Sequence, residues 1–195
     1  DLHLRGLRKL GVEITEKNGL LVGAVKEPLS CEIHLDYPSV GATENIMLFA
    51  VGNPGKTVIY NPAREPEIAD LQNFLNTCGF CVSGAGTGTI VIEGKELKDT
   101  DTVEYKIISD RIEAGTYLSA AASMKSKIYI RNIEKSHFKS ITSVYEDAGC
   151  EIRETHGIVV ITSSGNLKAI EKVTTQPYPG FPTDMQAQLM ASMLK

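Results

Sequence analysis

In the segment "LNTCGFCVSGAGTGTIVI" (Leu75–Ile92), a helical pattern ends at a glycine and two short strand patterns follow. Glycine directly after the last helical turn adopts a left-handed conformation that other residues resist, so Gly79 predicts a helix end. The alternating apolar residues after it, separated by further glycines, predict a β-hairpin. The stretch therefore indicates a helix, a glycine cap and a hairpin in sequence.

Two other segments have the same pattern, and they are "LRKLGVEITEKNGLLV" (Leu7–Val22) and "YEDAGCEIRETHGIVVI" (Tyr145–Ile161). The central glycines, Gly11, Gly79 and Gly149, lie 68 and 70 residues apart. A regular spacing of similar segments is the signature of a repeated structural unit. We therefore predict that the chain is built from repeats.

Each unit is predicted to have the order βαβαββ. A strand precedes the helix of the hairpin segment, either "KTVIYNP" (Lys56–Pro62) or "SKIYIRN" (Ser126–Asn132), and a further helix and strand ("EIHLD" or "EYKII") come before that. One copy spans residues 31–94 and another spans residues 103–161. Strand-helix-strand crossovers imply parallel pairing, so the fold class is α/β, with an antiparallel hairpin closing each unit.

Both ends of the chain are predicted to fall inside a unit. Residues 1–22 match the second half of a unit, and "KVTTQPYPGFPTDMQAQLMASMLK" matches a first half that stops within its first helix. Thr183 and Gln186 have the spacing of a reciprocal N-terminal cap for that helix. Its predicted apolar stripe comprises Met185, Leu189, Met190, Met193 and Leu194. We expect an internal fragment of a longer repeat protein, with a last helix that is frayed or packed in a non-native way.

Composition restricts the class of partner. The 195 residues are 42% hydrophobic and 23% charged, which is ordinary for a globular protein with one core. A net charge of -4 disfavours nucleic acid, since affinity for phosphate backbones requires clustered Lys and Arg. No apolar run approaches the ~20 residues of a membrane span, and the N-terminus lacks the apolar core of a signal peptide. We therefore predict a cytoplasmic protein with neither a nucleic acid nor a membrane as partner.

The four cysteines are Cys31, Cys78, Cys81 and Cys150. Only Cys78 and Cys81 form a close pair, and neither a second pair nor a nearby His-x-x-x-His provides the other ligands of a zinc site. We predict reduced thiols and neither a metal nor a cofactor. A redox function of the pair is the alternative, although this pair follows a helix end instead of opening a helix, where the dipole would lower a thiol pKa.

Candidate chemistry lies between the first strand and first helix of each unit, where ligands bind in open α/β sheets. The three stretches are "DYPSVGATEN" (residues 36–45), "SDRIEAGT" (residues 109–116) and "PYPGFPTDMQ" (residues 177–186). Small residues at 39–43 lead into a helix, which is typical of simple capping and also of an N–H cradle for a phosphate. Asp184 is either a carboxylate that stabilises a helix dipole or a general base with a raised pKa.

At these residues the sequence resembles the UDP-N-acetylglucosamine 1-carboxyvinyltransferase family of enolpyruvyl transferases. The matching stretches run in order from Asp1 to Met190, and they are "DLHLRGL", "LDYPSVGATENIM", "NPAREPEIADLQNFL", "GAGTGTIVIEG", "SDRIEAGTYLSAAAS" and "YPGFPTDMQAQLM". The resemblance implies the inside-out α/β barrel, which has two domains of three βαβαββ units each. It also implies that residues 1–107 are the later half of the first domain and that residues 108–195 begin the second. The polar stretch "KELKDTDT" (Lys95–Thr102) is the boundary candidate from composition, as a solvated loop or a hinge.

The resemblance also implies a reaction. The family transfers the enolpyruvyl group of phosphoenolpyruvate to the 3-hydroxyl of UDP-N-acetylglucosamine in the first committed step of peptidoglycan synthesis, which serves cell wall biogenesis, cell shape and cell division in the cytoplasm. By the same resemblance Asp184 contacts that hydroxyl and is the base, and Asp1, Leu2 and His3 belong to the uridine pocket. The nucleotide phosphates would be contacted by Tyr37, Pro38, Ser39, Val40 and Gly41. Some family members carry Lys at the position of Tyr37, so a charge contact is not expected there.

The resemblance further implies what the chain lacks. The family's reactive cysteine lies on a loop upstream of the match to "DLHL", and none of the four cysteines here matches it. The Lys and Arg groups that hold phosphoenolpyruvate also fall outside the match. We expect the chain alone to be inactive and to depend on the remaining parts of the same polypeptide. The alternatives are a sugar-nucleotide-binding module without catalysis and a fragment that binds nothing. The sister family that acts on shikimate 3-phosphate shares the fold, but "SVGATENIM" and "FPTDMQAQ" favour the sugar nucleotide.

Overall fold

The chain folds into two compact units, Asp1–Ile107 and Ile108–Lys195. The computed structural model describes residues 1–96 and 102–194. Most of the predicted boundary stretch, Lys95–Thr102, lies outside the described residues, so the choice between loop and hinge stays open. The assignment of the two units to the domains of a particular family likewise stays a prediction.

The first unit opens with the predicted helix, glycine and hairpin. Helix α1 (Leu2–Lys9) is followed by the antiparallel strands β1 (Val12–Lys17) and β2 (Leu20–Val25). Gly11 has a φ of 92°, as expected for a residue that ends a helix in the left-handed region. The turn between the strands has φ angles of 54° at Asn18 and 75° at Gly19, which suits a tight hairpin. This half of a unit is confirmed.

A complete βαβαββ unit follows. Its elements are β3 (Glu32–His34), α2 (Val40–Ala50), β4 (Gly55–Tyr60), α3 (Pro66–Thr77), β5 (Cys81–Ser83) and β6 (Thr89–Gly94). The sheet has the order β3-β4-β6-β5, with β3 and β4 parallel and the other neighbours antiparallel. Both the predicted element order and the parallel crossover are confirmed for residues 31–94.

The core of the first unit lies where α2 and α3 cover this sheet. Alternate residues of the strands point inward, so Ile59, Ile90 and Ile92 are fully buried. Ile46 and Ile68 meet them from the helices and are also fully buried. This core fixes the start of α2 relative to the ends of β3 and β4.

The second unit contains most of a further repeat. Its elements are α4 (Arg111–Ala122), β7 (Lys125–Arg131), α5 (Lys139–Asp147), β8 (Glu151–Thr155) and β9 (Ile158–Ser164). The sheet has the order β7-β9-β8, and both pairings are antiparallel. Gly149 ends α5 with a φ of 99°, and Gly79 ends α3 in the same way with a φ of 84°. The repeated glycine cap is therefore confirmed at all three positions.

The first strand predicted for this repeat is wrong. Residues 104–108, which the structure describes, form no strand. Tyr105 instead donates a hydrogen bond of 2.7 Å from its hydroxyl to the carboxylate of Asp70, and its ring meets that of Phe74 edge-on at 5.5 Å. Both partners belong to α3, so this segment is attached to the first unit. In this segment Tyr105 contacts a helix, and no neighbouring strand among the described residues pairs with it.

The cap predicted for the last helix is also wrong. Helix α6 (Gln186–Met193) is preceded by a single 3₁₀ turn, Thr183–Met185, and neither element has a side-chain cap. Pro182 has an extended backbone and accepts the Met185 N–H at 3.1 Å. This backbone hydrogen bond closes the turn, so the helix begins at Gln186, two residues later than a cap at Thr183 requires.

Helix α6 packs on α4 instead of fraying. The side chains of Met185 and Leu189 are buried, as the apolar pattern predicts, whereas Met190 and Leu194 are 60% and 86% exposed. The hydroxyl of Ser192 lies 3.2 Å from that of buried Tyr145 and donates to the Ser119 carbonyl at 3.3 Å. These contacts join α6 to α4 and α5, so α6 is packed in this structure instead of frayed, while the alternative of a non-native packing stays a prediction.

In the part of the chain that the structure describes, the helices are all too short or too polar to cross a membrane.

Candidate functional site

The first unit brings together the two stretches that the sequence predicts as nucleotide contacts. Helices α1 and α2 approach closely at Gly6, where a Cβ atom would lie 2.5 Å from Cδ1 of Ile46. Because residue 6 has no side chain, the start of α1 can lie against the start of α2. Asp1 holds the first turn of α1, and its carboxylate accepts the His3 N–H at 3.1 Å. Residues 1–3 and 37–41 therefore meet at one end of this helix pair.

His3 is the residue that joins the two stretches. A Cβ atom on Gly41 would lie 2.9 Å from Cε1 of His3 and 3.6 Å from Nε2, so the imidazole rests directly on the first turn of α2. Nδ1, which lies 4.0 Å from the same Cβ position, is 2.8 Å from Nδ2 of Asn45. The imidazole therefore contacts both Gly41 and Asn45, which lie one turn apart on α2.

Asn45 was not predicted as a site residue. It is exposed on α2, and its contact with His3 joins residues 42 positions apart in the sequence. The signal that points to it is the spacing of Gly41 and Asn45, because residues four apart share one face of a helix. A small residue followed one turn later by an amide leaves room for an imidazole and offers it a hydrogen bond.

The start of α2 is capped as the sequence predicts. Ser39 has the extended backbone of a capping residue, and its hydroxyl accepts the Ala42 N–H at 3.4 Å. Thr43 donates to the Ser39 carbonyl at 2.8 Å and accepts the Ala63 N–H at 3.0 Å. The capping interpretation is confirmed, while phosphate binding at this helix end stays a prediction.

The loop before α2 is tied to α1 by charge. The guanidinium of Arg5 bonds the carboxylate of Asp36 at 2.5 Å and donates to the His34 carbonyl at 3.2 Å. This hydrogen bond and the accompanying charge attraction lower the pKa of Asp36 and raise that of Arg5. Tyr37, the next residue, is 55% exposed, and Pro38 and Val40 are half-buried. Arg5 of α1 is therefore already paired with the carboxylate that directly precedes the predicted phosphate-contacting loop.

The carboxyl group of Glu44, on α2, has a raised pKa. Burial raises the pKa of Glu44, and the charges of Glu67 and Glu65 raise it further, while His3 acts in the opposite direction. Glu65 is itself buried. The surroundings of Glu44 therefore favour its protonated form more than a solvent-exposed position would.

Asp184 belongs to the second unit, where it is exposed on the Thr183–Met185 turn. The loop before it is ordered by a hydrogen bond of 2.9 Å from the Gln176 N–H to the Phe181 carbonyl. The guanidinium of buried Arg111 lies 5.7 Å from the centre of the Tyr178 ring on the same loop. The structure thus gives Asp184 a fixed position, and its assignment as a base stays a prediction.

A groove of about 470 Å³ lies next to this loop. Apolar side chains make up much of its lining, including Phe181, Leu189 and Met190. Gln186 lines it as well, two residues after Asp184. Within residues 1–96 and 102–194, no group of three or more His, Cys, Asp or Glu residues is arranged to hold a metal ion. All four cysteines are free thiols.

Comparisons with known proteins agree with the stretches that carry the resemblance. The family model described as EPSP synthase (3-phosphoshikimate 1-carboxyvinyltransferase) matches residues 1–195. A UDP-N-acetylglucosamine 1-carboxyvinyltransferase 2 from Caldanaerobacter subterraneus subsp. tengcongensis is 52% identical over 98% of this chain and 45% of its own length. A UDP-N-acetylglucosamine 1-carboxyvinyltransferase 1 from Carboxydothermus hydrogenoformans is 48% identical over the same shares. The chain spans about half the length of these curated relatives.

Solved structures agree on the fold. The enolpyruvyl transferase NikO from Streptomyces tendae has a TM-score of 0.80 at 19% identity, over 98% of this chain and 48% of that one. The EPSP synthase from Acinetobacter baumannii has a TM-score of 0.59 at 19% identity, over 98% of this chain and 43% of that one. At such low identity these likenesses speak for the architecture alone, and they confirm the predicted enolpyruvyl transferase fold. Since the family model covers every residue, the chain belongs to the EPSP synthase (3-phosphoshikimate 1-carboxyvinyltransferase) family.

Proposed function

We propose that this chain is part of an enolpyruvyl transferase that uses phosphoenolpyruvate and UDP-N-acetylglucosamine. The observation that carries the proposal is the 52% identity, over 98% of the chain, to a relative named for that reaction. The contact between residues 1–3 and residues 37–41 supports it, because a nucleotide needs both stretches in one place. Within the chain these residues would hold the sugar nucleotide.

The geometry at the start of α2 suits the phosphates of a nucleotide. The first turn of a helix offers backbone N–H groups without helical partners, and the helix dipole favours an anion there. Ser39 is small, so an oxyanion can approach the backbone closely, while the space beside Gly41 is taken by the imidazole of His3. A protein with a net charge of -4 lacks a broad basic surface, so local donors of this kind would hold the phosphates.

In the proposed reaction Asp184 is the base. Its carboxylate would take the proton of the 3-hydroxyl as the oxygen adds to C2 of phosphoenolpyruvate, while an acid protonates the C3 methylene. Loss of a proton from C3 then expels phosphate and restores the double bond. The exposed carboxylate on a short ordered loop is free to receive a hydroxyl proton. We place this reaction in peptidoglycan synthesis, and hence in cell wall biogenesis, cell shape and cell division.

The proposal includes a cytoplasmic location. The four free thiols suit a reducing compartment. The remaining parts of the same polypeptide are the expected partners, since the relatives are about twice as long as the matched segment.

A sugar-nucleotide-binding module without catalysis is the second candidate. The observation that favours it is that the candidate nucleotide contacts, residues 1–3 and 37–41, all lie in the first compact unit, whereas Asp184 lies in the second. Under this alternative the chain binds the sugar nucleotide and transfers nothing.

The experiment is phosphate release by the full-length protein and its D184N variant. Removal of a general base is expected to lower turnover by about 10²–10⁴-fold while the fold is retained. D147N is the matched control, because Asp147 is also an exposed aspartate, at the end of α5. The 195-residue chain alone should release no phosphate. A D184N enzyme with a nearly unchanged rate would return Asp184 to a structural role.

A further inference from the structure

We propose that Asn45 is a positioning residue for His3, because its amide fixes the ring proton on Nε2 and so provides a neutral N–H donor for a nucleoside diphosphate at the start of α2. The effect on ligand binding rests on the function proposed above. The effect on the imidazole itself does not depend on that function, so the two can be tested separately.

The first step concerns the tautomer. The side-chain nitrogen of Asn45 lies 2.8 Å from Nδ1 of His3. An amide nitrogen is a donor only, so Nδ1 has to accept this hydrogen bond and cannot carry a proton. In a neutral imidazole the proton then resides on Nε2. Asn45 therefore selects one of the two neutral forms of His3.

The second step concerns direction. Cε1 is the ring atom closest to Gly41, at 2.9 Å from the position that a Cβ would occupy, and Nε2 and Nδ1 lie 3.6 and 4.0 Å from that position. Because Asn45 bonds Nδ1 while the ring also contacts Gly41, rotation of the ring would break the hydrogen bond or lose the contact with the glycine. The Nε2–H group is thereby kept beside the first turn of α2.

The third step concerns the ligand. Backbone N–H groups of a first helical turn and a neighbouring imidazole N–H can bind the same oxyanion. Tyr37 supplies no charge at this site, and Arg5 is already paired with Asp36. A neutral donor of fixed direction therefore adds to phosphate recognition where the loop has no unpaired cation of its own.

The tautomer is measured by ¹⁵N NMR of the histidine side chains, with His3 assigned by its loss in H3Q. The wild-type chain should show the Nε2–H form. N45D keeps the shape of the side chain but leaves only acceptor oxygens, so Nδ1 of His3 should gain a proton, in the Nδ1–H tautomer or in the imidazolium. L48A is the matched control, since Leu48 is exposed on the same helix and should leave the tautomer unchanged. An Nδ1–H form in the wild type, or no change in N45D, would overturn the proposal.

Binding is measured by calorimetry with UDP-N-acetylglucosamine. N45A should weaken binding by about tenfold, the equivalent of one hydrogen bond, and L48A should not. Circular dichroism should show that both variants are folded, because both side chains are exposed. An unchanged affinity in a folded N45A chain would overturn the positioning role. If the wild type itself binds no sugar nucleotide, the proposed function fails, and the NMR result alone decides the assignment of Asn45.

Discussion

At the scale of single residues, the placement of His3 depends on the missing side chain of Gly41. A Cβ atom there would come within 2.9 Å of Cε1 of the imidazole, so G41A should displace the ring from the first turn of α2. We expect affinity for UDP-N-acetylglucosamine to fall by about tenfold or more, as for the loss of at least one hydrogen bond. Stability should be unchanged or higher, because Ala favours a helix over Gly by about 1 kcal/mol.

Calorimetry and thermal unfolding on the same samples check this prediction. G23A is the control, because a Cβ at Gly23 would make an ordinary contact of 3.5 Å with Val12. The account of the site would be in error if G41A bound as tightly as the wild type, or if G23A lost affinity to the same extent.

Single residues also differ in how well a sequence predicts them. Gly11, Gly79 and Gly149 were identified as helix ends because tolerance of a positive φ is a property of glycine itself, and their φ angles of 92°, 84° and 99° agree. The partnership of Asn45 with His3 was missed because it depends on how two helices cross. The spacing of Gly41 and Asn45 places both on one face of α2, but no local pattern tells that His3 of another helix lies on that face.

At the scale of elements, the crossing of α1 and α2 depends on Gly6. A Cβ at this position would lie 2.5 Å from Cδ1 of Ile46, whose side chain is fully buried. We expect G6A to destabilise the chain by about 1–3 kcal/mol, the usual cost of overpacking. The double variant G6A/I46V removes Cδ1 but keeps Cγ1, which lies 2.7 Å from the same position, so it should recover only part of this loss.

Chemical denaturation of the wild type, both single variants and the double variant gives the coupling energy between the two positions. I46V alone should be destabilised by about 0.5–1.5 kcal/mol, as for the loss of one buried methyl group. Strictly additive effects would show that the two helices do not touch at this point.

A second element-scale prediction concerns the segment that was expected to form a strand. Burial first, and then the hydrogen bond and charge of Asp70, raise the pKa of Tyr105 to about 12. The folded state therefore favours the protonated phenol, so this contribution to stability is complete below pH 10 and is lost as the pH rises toward 12. Spectrophotometric titration should show that Y105F lacks one tyrosine that ionises late, whereas Y117F, altered at a 60% exposed position, retains it. Identical titration curves for the two variants would show that Tyr105 does not form its hydrogen bond with Asp70 of α3.

Elements were predicted well where the signal is local and poorly where it requires a partner. The hairpins after each glycine and the parallel pair β3 and β4 agree with the sequence. Residues 104–108 alternate like a strand, yet a strand exists only when a neighbour pairs with it, and Tyr105 bonds α3 instead. The cap expected from Thr183 and Gln186 failed similarly, because a 3₁₀ turn after Pro182 takes up those residues.

At the scale of the whole molecule, the chain combines one complete repeat with parts of others in two compact units. The first unit carries the candidate nucleotide contacts, and the second carries Asp184. The repeat was predictable because each copy has the same sequence pattern of a helix, a glycine cap and a hairpin. The identity of the ligand rests on the similarity to named relatives, since α/β folds of one architecture accommodate different substrates.

The central claim is that the first unit recognises a sugar nucleotide, and the most direct test is calorimetric titration of the 195-residue chain with UDP-N-acetylglucosamine. Shikimate 3-phosphate is the comparison ligand, because the matching family model is described by the enzyme that makes use of it. We predict saturable binding of one UDP-N-acetylglucosamine per chain and no heat with shikimate 3-phosphate. No heat at millimolar UDP-N-acetylglucosamine, or a preference for shikimate 3-phosphate, would contradict the claim.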